Sequence, residues 1–185
     1  MTTGERFWEL LEFERERVWQ LSYALTGSYD EACDLASETF LAAYKSFPSM
    51  RDTVAFRKFL STIAIRLHRR KRWRARIFSP LHEAEDSAYE MNGESLYDLD
   101  LLLSALKKLP ALQRETIVLF EISGLSLLEI KEIQGGSISG IKSRLARARE
   151  NLKRILTDEN LQKKVVLVPD PALRDIPNSI RIQLS

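Results

Sequence analysis

The chain has 185 residues, of which 44% are hydrophobic and 29% are charged, and its formal net charge is +2. This length can bury one medium hydrophobic core or two small ones. A single cysteine excludes an internal disulfide framework and a cysteine-rich zinc site, and the two scattered histidines do not form a metal cluster. No apolar run approaches the ~18 residues of a membrane span, and no signal-peptide core is visible, so we expect a cytoplasmic protein without metal or cofactor.

The small net charge conceals blocks of opposite sign. Residues 1–50 carry a net charge of −5, residues 51–80 carry +9, residues 81–105 carry −7, residues 106–156 carry +5 and the remainder is neutral. Charges spread evenly over solvated faces do not easily give a block as basic as the second one. Two basic blocks separated by an acidic one predict two nucleic-acid-binding units on a connector.

The first 50 residues predict two helices. Residues 5–27 carry an apolar face and end at Gly27, which breaks the helix. A second helix, capped by Ser28 or Asp30, carries the sequence YDEACDLASETFLAAYKSF and ends before Pro48. The apolar face of the first helix comprises Phe7, Trp8, Leu10, Leu11, Val18, Trp19, Leu21 and Leu25. That of the second comprises Ala32, Leu35, Phe40, Ala43 and Tyr44.

Two carboxylates of the second helix, Asp34 and Glu38, lie four residues apart and share an exposed face. Paired carboxylates can serve in acid–base catalysis. No histidine, metal cluster or nucleophile lies near them in the sequence, so the pair does not indicate an active site. We interpret Cys33 as a small helix residue without a redox role.

A long third helix begins at Val54, capped by Thr53, after a loop from Pro48 to Asp52. Its apolar residues recur at spacings of 4, 3 and 4 and form a buried stripe of Phe56, Leu60, Ile63 and Leu67. The helix then carries a basic run that needs solvent or phosphate around it. Trp73 could stack on an unpaired base or pack against its own domain. The candidate DNA contacts of this helix are Arg66, Arg69, Arg70, Lys71, Arg72 and Trp73.

Residues 77–100 lack sustained periodicity, contain Pro80 and a glycine, and are strongly acidic. This composition predicts a flexible linker. Asp98 or Asp100 can then cap a helix over residues 101–109.

The strongest local pattern lies in residues 109–156. Ser126 and Glu129 form a capping box that opens a short helix. Gly135 and Gly136 must end that helix, because residues without a Cβ permit a left-handed turn. A helix, a glycine turn and a second helix predict a helix-turn-helix.

The second helix of this pattern begins near Ser137 or Ser139, either of which can cap it. An apolar stripe with basic residues along both edges suits a helix in a DNA major groove. The stripe comprises Ile138, Ile141, Leu145, Ala148 and Leu152. Its edges carry Lys142, Arg149 and Lys153 on one side and Arg144, Arg147 and Arg154 on the other, with Ser143 on the exposed side.

Several motifs, in order and spacing, resemble the extracytoplasmic-function group of bacterial sigma factors. LPALQRETIVLFEISGLSLLEI followed by IKSRLARAREN resembles the promoter-recognition domain of this group. DEACDLASETF resembles the helix that docks on the clamp coiled coil of the largest polymerase subunit. The resemblance covers residues 5–156 and implies an all-α protein of two small helical domains.

In terms of this resemblance, the chain divides into four parts. They are a polymerase-docking and −10 promoter-element domain (1–76), an acidic linker (77–100), a helix-turn-helix −35 promoter-element domain (101–156) and a C-terminal tail (157–185). The docking motif falls on Asp34, Leu35, Glu38, Thr39 and Phe40. The −35 contacts would come from Ser139, Lys142, Ser143, Arg144 and Arg147.

The resemblance implies a transcription initiation factor that binds core RNA polymerase, brings it to promoter DNA and helps to open the duplex. The polymerase would supply catalysis, and no G-x-x-x-x-G-K-[ST] loop indicates an enzyme. An anti-sigma protein could be a further partner. The alternative is a sigma-like interaction protein that binds DNA or polymerase without initiating. Four departures from the family pattern motivate it, namely Cys33, Ser37, Phe59 and Arg66.

Two segments leave alternatives open. By resemblance, the acidic linker would thread the nucleic-acid channel of the polymerase, whereas its composition also suits a solubilising tether. The tail lies outside the resemblance and contains two short β-prone runs, KKVVLVPDP and SIRIQLS. It could dock on one domain and regulate activity, or it could be a dispensable terminus.

Overall fold

A computed structural model describes residues 3–47, 52–78 and 94–157, and within them every regular secondary-structure element is an α-helix. None of the helices in this part is long and apolar enough to cross a membrane. The helices pack into two compact units, α1–α3 and α4–α7, which confirms the prediction of an all-α protein with two helical domains. The helices are α1 (Thr3–Thr26), α2 (Tyr29–Lys45), α3 (Thr53–Phe78), α4 (Glu94–Lys108), α5 (Ala111–Glu121), α6 (Leu127–Gln134) and α7 (Ile138–Thr157).

Three predicted segments fall partly or wholly outside the described residues. They are most of the loop after α2, the central part of the acidic linker (79–93) and the tail beyond residue 157.

The first unit is built around an aromatic core. Phe7 of α1 is 1% exposed, and its ring meets the rings of Tyr44, Phe47 and Phe56 edge-on, with centroids 5.2, 5.2 and 5.7 Å apart. Edge-to-face pairs place the positive ring edge against the negative face and add to the gain from burial. The other buried residues of this core are Leu10, Leu11, Val18, Ala36, Ala43 and Leu60.

Two aromatic residues that were predicted to be buried are exposed. Trp8 is 59% exposed and Tyr44 is 49% exposed, so these two predictions were wrong. Their rings lie 5.9 Å apart and cover the outside of the Phe7 cluster. A large ring at the edge of a helical stripe can contact the core with one side and solvent with the other, and residue spacing does not reveal this.

The start of α3 also differs from the expectation. Asp52, not Thr53, caps the helix: its Oδ1 accepts a hydrogen bond from the Val54 amide at 2.9 Å, and its carbonyl accepts one from the Phe56 amide at 3.1 Å. Aspartate and threonine are both good N-caps, so composition alone could not choose between them.

A buried carboxylate joins α1 to α3. The Glu14 side chain is 3% exposed and accepts hydrogen bonds from Arg57 Nε and Nη2 at 2.9–3.1 Å. Arg17 Nε approaches the same carboxylate to 3.3 Å. Burying a carboxylate without partners costs desolvation free energy, and a bidentate guanidinium contact offsets much of that cost.

In the second unit, α4, α5 and α6 all pack on α7. The predicted stripe of α7 is the centre of this core, because Ile141, Leu145, Ala148 and Leu152 are each 5% exposed or less. The helices around it bury Leu103, Ala105, Leu106, Leu109, Ile117, Val118, Leu119, Leu125 and Ile130.

The first helix of this unit begins earlier than predicted. Because α4 starts at Glu94, Asp98 and Asp100 lie inside it, and neither is its N-cap. The acidic composition of residues 94–100 predicts a linker, whereas these residues form the first part of α4.

The Glu14–Arg57 contact gives a prediction for stability. Replacing Arg57 with alanine should lower the free energy of unfolding of the first unit by about 1.5–3 kcal/mol, because Glu14 stays buried with fewer donors. The three tryptophans are Trp8, Trp19 and Trp73, so their fluorescence during urea unfolding reports on this unit.

The matched control is Arg15→Ala. Arg15 also pairs with a glutamate, Glu12, but the two side chains are 64% and 70% exposed, so the loss should stay below about 1 kcal/mol. Equal losses in the two variants would contradict the assignment of Glu14–Arg57 as a stabilising buried contact.

Candidate nucleic-acid interface

The turn between α6 and α7 forms as the sequence predicts. Ser126 Oγ accepts a hydrogen bond from the Glu129 amide at 3.3 Å, and Glu129 Oε2 accepts one from the Ser126 amide at 2.8 Å. Gly135 and Gly136 have φ values of 78° and 92°, and a Cβ on either would meet nothing within 4 Å. Glycine is therefore required by the backbone conformation and not by crowding. The predicted capping box and glycine turn are confirmed.

Of the two predicted caps for α7, Ser137 is the one used. Its Oγ accepts a hydrogen bond from the Gly140 amide at 3.0 Å, and its carbonyl accepts one from the Ile141 amide at 3.0 Å. Ser139 lies in the first turn, exposed, with its hydroxyl 3.0 Å from that of Ser137.

The side of α7 away from the core is basic and accessible. Lys142, Ser143 and Arg147 are exposed, and the structure gives them no hydrogen bond with other described residues. Cations that are not committed to a protein partner can bind phosphate oxygens or base edges. These residues can therefore contact DNA without first breaking an internal contact.

Arg144 differs from these residues. It is half-buried, and its Nη1 donates a 2.7 Å hydrogen bond to Gln134 Oε1 at the end of α6. The sequence did not predict this contact, because Gln134 belongs neither to the apolar stripe of α7 nor to the glycine turn.

A polar cleft of about 570 Å³ opens beside the start of α7. Both arginines of this part of α7 line it, together with hydroxyl groups from the first turn, so its chemistry suits an anionic ligand. The lining residues are Pro110, Leu112, Gln113, Ser137, Ser139, Gly140, Ser143, Arg144 and Arg147.

Arg149 has a structural role. Its guanidinium binds the carboxylate of Glu121, a side chain that is 5% exposed, at 2.5 and 3.0 Å, and it lies 5.2 Å from the centre of the Phe120 ring. The cation neutralises a buried acid of α5. Not every basic residue beside the apolar stripe is therefore available to DNA.

A second concave surface of this unit is apolar. It encloses about 320 Å³ between α4, α5 and α7, with charged residues at its rim. Its lining suits a hydrophobic side chain and not a phosphate. The sequence analysis did not anticipate it, because its walls come from three separate helices. The apolar walls are Leu102, Leu106, Ile117, Val118, Ile122 and Leu152.

The basic run of α3 presents one continuous exposed stripe. Arg66, Arg70, Trp73 and Arg74 are exposed and recur at helical spacing, so they lie on one face. Trp73 is 62% exposed, which favours the interpretation of an accessible ring over that of a ring packed on its own domain. Arg72 is exposed, whereas Arg69 is half-buried.

Lys71 is held by a residue of α2. Its Nζ lies 2.8 Å from Glu38 Oε1, and the two side chains are 40% and 42% exposed. A predicted DNA contact and a predicted polymerase contact therefore pair with each other. An exposed pair of this kind contributes only about 0.2–1 kcal/mol, so a strongly charged partner can displace it.

The predicted polymerase-docking residues of α2 divide into two groups. Leu35 and Thr39 are fully buried, and the Thr39 hydroxyl donates to the Leu35 carbonyl at 2.7 Å. Asp34 is exposed, and Glu38 and Phe40 are partly exposed. The buried residues hold the helix in place, and only the other three can reach a partner.

Within residues 3–47, 52–78 and 94–157, no group of three or more His, Cys, Asp or Glu residues could hold a metal ion. Two basic helix faces, on α3 and α7, can recognise an anionic ligand. A helix-turn-helix with an accessible basic face, and a second unit with a stripe of arginines and an exposed tryptophan, define a DNA-binding protein.

Comparison with known families agrees with this class. The family described as "Sigma-70 region 2" matches residues 10–77, and "Sigma-70, region 4" matches residues 99–152. The first match covers most of the unit of α1–α3, from residue 10 onward, and the second covers most of the unit of α4–α7. The chain belongs to the sigma-70 family, in its extracytoplasmic-function (ECF) group, as the relatives below show.

Curated ECF RNA polymerase sigma factors are similar over most of the chain. EcfG of Rhodopseudomonas palustris is 33% identical over 142 residues, 72% of this chain and 75% of EcfG. SigW of Bacillus subtilis is 29% identical over 169 residues, 83% of this chain and 90% of SigW. SigE of Mycolicibacterium smegmatis is 34% identical over 154 residues, and there the match spans 78% of this chain and 59% of SigE.

A solved structure shows a similar fold. The sigma factor RpoE of Bartonella quintana, in complex with the anti-sigma factor NepR, is 27% identical with a TM-score of 0.65, and the match covers 84% of this chain and 99% of RpoE. The resemblance that the motifs indicated is therefore confirmed.

Proposed function

We infer that the chain is a transcription initiation factor that binds core RNA polymerase, directs it to specific promoters and helps to open the duplex. The observation that carries this conclusion is the presence of both sigma-70 regions, in order, on two helical units. The polymerase supplies catalysis, so we assign no enzymatic activity to the chain itself. We place its action in the cytoplasm, where promoter DNA is found.

Recognition of the −35 element is assigned to α7. A helix of this kind lies in the major groove with its N-terminal residues against base edges. Ser139, Lys142, Ser143 and Arg147 are exposed there, and Arg144 lines the same cleft. Phosphate contacts would fix the register of the helix, and arginines on base edges would supply sequence preference.

Opening of the −10 element is assigned to the exposed stripe of α3. Arginines on one face can follow the phosphate backbone. The accessible ring of Trp73 can stack on a base that has left the duplex, which offsets part of the few kcal/mol that unpairing costs. Arg69 and Arg72 flank this stripe, and Lys71 can join it once its pair with Glu38 is exchanged for phosphate.

Docking on core polymerase is assigned to the exposed side of α2. Asp34 and Glu38 supply negative charge, and Phe40 supplies a partly exposed apolar group. Leu35 and Thr39 contribute by fixing the helix in the unit. The docking motif therefore contains two kinds of residue: those that would contact the polymerase and those that would hold the contacting residues in position.

An anti-sigma protein is a further proposed partner. RpoE of Bartonella quintana was solved with the anti-sigma factor NepR, and CnrH, 25% identical with a TM-score of 0.61, was solved with the cytosolic domain of CnrY. By analogy, a protein of this class would hold the chain inactive.

In-vitro transcription tests the function directly. The full-length chain should direct core RNA polymerase to a subset of a promoter library and yield transcripts that are absent without the chain. The sigma-like interaction protein predicts binding without transcripts, an alternative that the similarity to ECF sigma factors does not favour. Polymerase binding with no transcript from any promoter would overturn the initiation function.

The recognition helix gives a second prediction. Alanine at Lys142, Arg144 and Arg147 together should abolish most promoter binding at moderate salt. Log affinity falls as log salt rises, and each lost phosphate contact should make this slope less steep by about 0.9. Loss of an arginine with a bidentate base contact should cost about 1–3 kcal/mol and relax preference at one position. Filter binding of the assembled polymerase across a salt series measures both effects.

The control for this series is Arg154→Ala, a basic residue near the other end of α7 that donates to Asn151 Oδ1. It removes one positive charge from the same helix, as each of the three substitutions does, and should change binding little. If the triple variant binds the promoter as the unaltered chain does, the assignment of α7 is wrong.

The docking surface gives a third prediction. Asp34→Lys with Glu38→Lys should weaken binding to core polymerase at least about tenfold, because like charges would then meet across the interface. Circular dichroism should remain unchanged, since neither side chain is buried. Affinity is measured by pull-down titration with core polymerase.

A charge-matched control lies on α1. Glu12→Lys with Glu16→Lys reverses two exposed carboxylates four residues apart and should leave polymerase affinity nearly unchanged. Equal weakening by both pairs would show that overall charge, and not the α2 surface, controls docking.

A further inference from the structure

Gln134 connects three helices at the end of α6. Its Nε2 donates to the Leu112 carbonyl at 3.3 Å and to Glu115 Oε2 at 3.4 Å, both on α5. Its Oε1 accepts from Arg144 Nη1 on α7 at 2.7 Å and lies 2.8 Å from the Thr116 hydroxyl. Both ends of the amide are therefore engaged, and its orientation is fixed by the donors and acceptors around it.

Gln134 Oε1 has two neighbours that can donate a hydrogen bond, Arg144 and Thr116, and the hydrogen bond from Arg144 is the stronger one. The Thr116 hydroxyl has one hydrogen, and it lies closer to the Leu112 carbonyl (2.6 Å) than to Gln134 Oε1. The guanidinium of Arg144 donates without such competition. It also has further N–H donors that Gln134 does not use, and it lines the polar cleft beside Arg147.

A comparison within the same helix shows what this arrangement achieves. Arg149, five residues further along α7, is held by the carboxylate of Glu121, so its charge is neutralised by its partner. Arg144 is held by a neutral amide, and no carboxylate of the described residues forms an ion pair with it. Arg149 therefore stabilises the fold, whereas Arg144 is held in place and can still bind an anion.

We propose that Gln134 is a positioning residue that sets base preference by fixing the Arg144 guanidinium in the DNA cleft. The proposal rests on the proposed function of α7. Bidentate recognition of a base edge needs the guanidinium plane in one orientation. An arginine that is already ordered before DNA arrives loses less side-chain freedom on binding, which favours the correct contact.

A double-mutant cycle tests this proposal. The variants are Gln134→Met, Arg144→Ala and the two combined, each in the full-length chain assembled with core RNA polymerase. The DNA is a duplex selected from a randomised promoter library by the unaltered assembly, together with its single-base variants. Methionine has nearly the same length as glutamine, but its thioether sulfur is only a weak acceptor for the hydrogen bond from Arg144.

Gln134→Met should weaken binding to the selected duplex by about two- to tenfold, because the Arg144 side chain must then be ordered when DNA binds. It should relax preference at the same base position as Arg144→Ala. In the Arg144→Ala background it should have no further effect on DNA, because the group on which it acts is gone. A purely structural role would weaken binding equally in both backgrounds, and that result would overturn the proposal.

Two further variants keep the test decisive. Asn151→Ala removes another hydrogen bond between α7 and α5, the 2.8 Å contact with Gln113 Oε1, and should leave base preference unchanged. Should Gln134→Met unfold the second unit, as seen in hydrogen exchange of α7, Gln134→Asn keeps the amide but shortens its reach and should give the same loss of preference. Unchanged preference in a folded Gln134 variant would overturn the proposal.

Failure of the proposal can be distinguished from failure of the proposed function. If Arg144→Ala weakens promoter binding and a folded Gln134→Met variant does not, only the positioning role is wrong. If Arg144→Ala itself leaves affinity and preference unchanged, the assignment of Arg144 to DNA is wrong, and the proposal fails with it.

Discussion

Burial of one stripe of α7 is the constraint on which the second unit depends. Ile141, Leu145, Ala148 and Leu152 are covered by α4, α5 and α6. Because a helix has one orientation once such a stripe is buried, the residues on its other side are fixed in space as well. The hydrophobic core that stabilises the unit therefore also decides which side chains face the polar cleft. Packing and recognition are two consequences of the same periodicity.

The chain uses its arginines in two different ways. Arg57 and Arg149 bind buried glutamates and compensate for the desolvation of those acids. Arg66, Arg70 and Arg147 are exposed and can exchange water for phosphate. Sequence alone shows both kinds as basic residues on amphipathic helices. The distinction depends on which acid lies opposite in the fold, 43 residues away for Arg57 and 28 residues away for Arg149.

The features that the sequence predicted well are local ones. The capping box of α6, its glycine turn and the stripe of α7 depend on residues within a few positions of each other, so their spacing contains the necessary information. The choice of Asp52 over Thr53, the early start of α4 and the exposure of Trp8 were not predictable in this way. Each depends on competition between equivalent residues or on packing against a distant helix. For the same reason the role of Gln134, which joins three helices, could not be inferred from its position before the turn.

The fold brings charged residues of the acidic and basic blocks into contact with each other. The acidic residues 1–50 and the basic residues 51–80 contribute to the same unit, because α1, α2 and α3 pack together. Charges of the two blocks meet within it, as Glu14 binds Arg57 and Glu38 binds Lys71. Where the helices face each other, opposite charges neutralise; where they face solvent, each helix keeps its own sign. One small unit can therefore offer an acidic surface from α2 to one macromolecule and a basic surface from α3 to another, without a second domain to separate them.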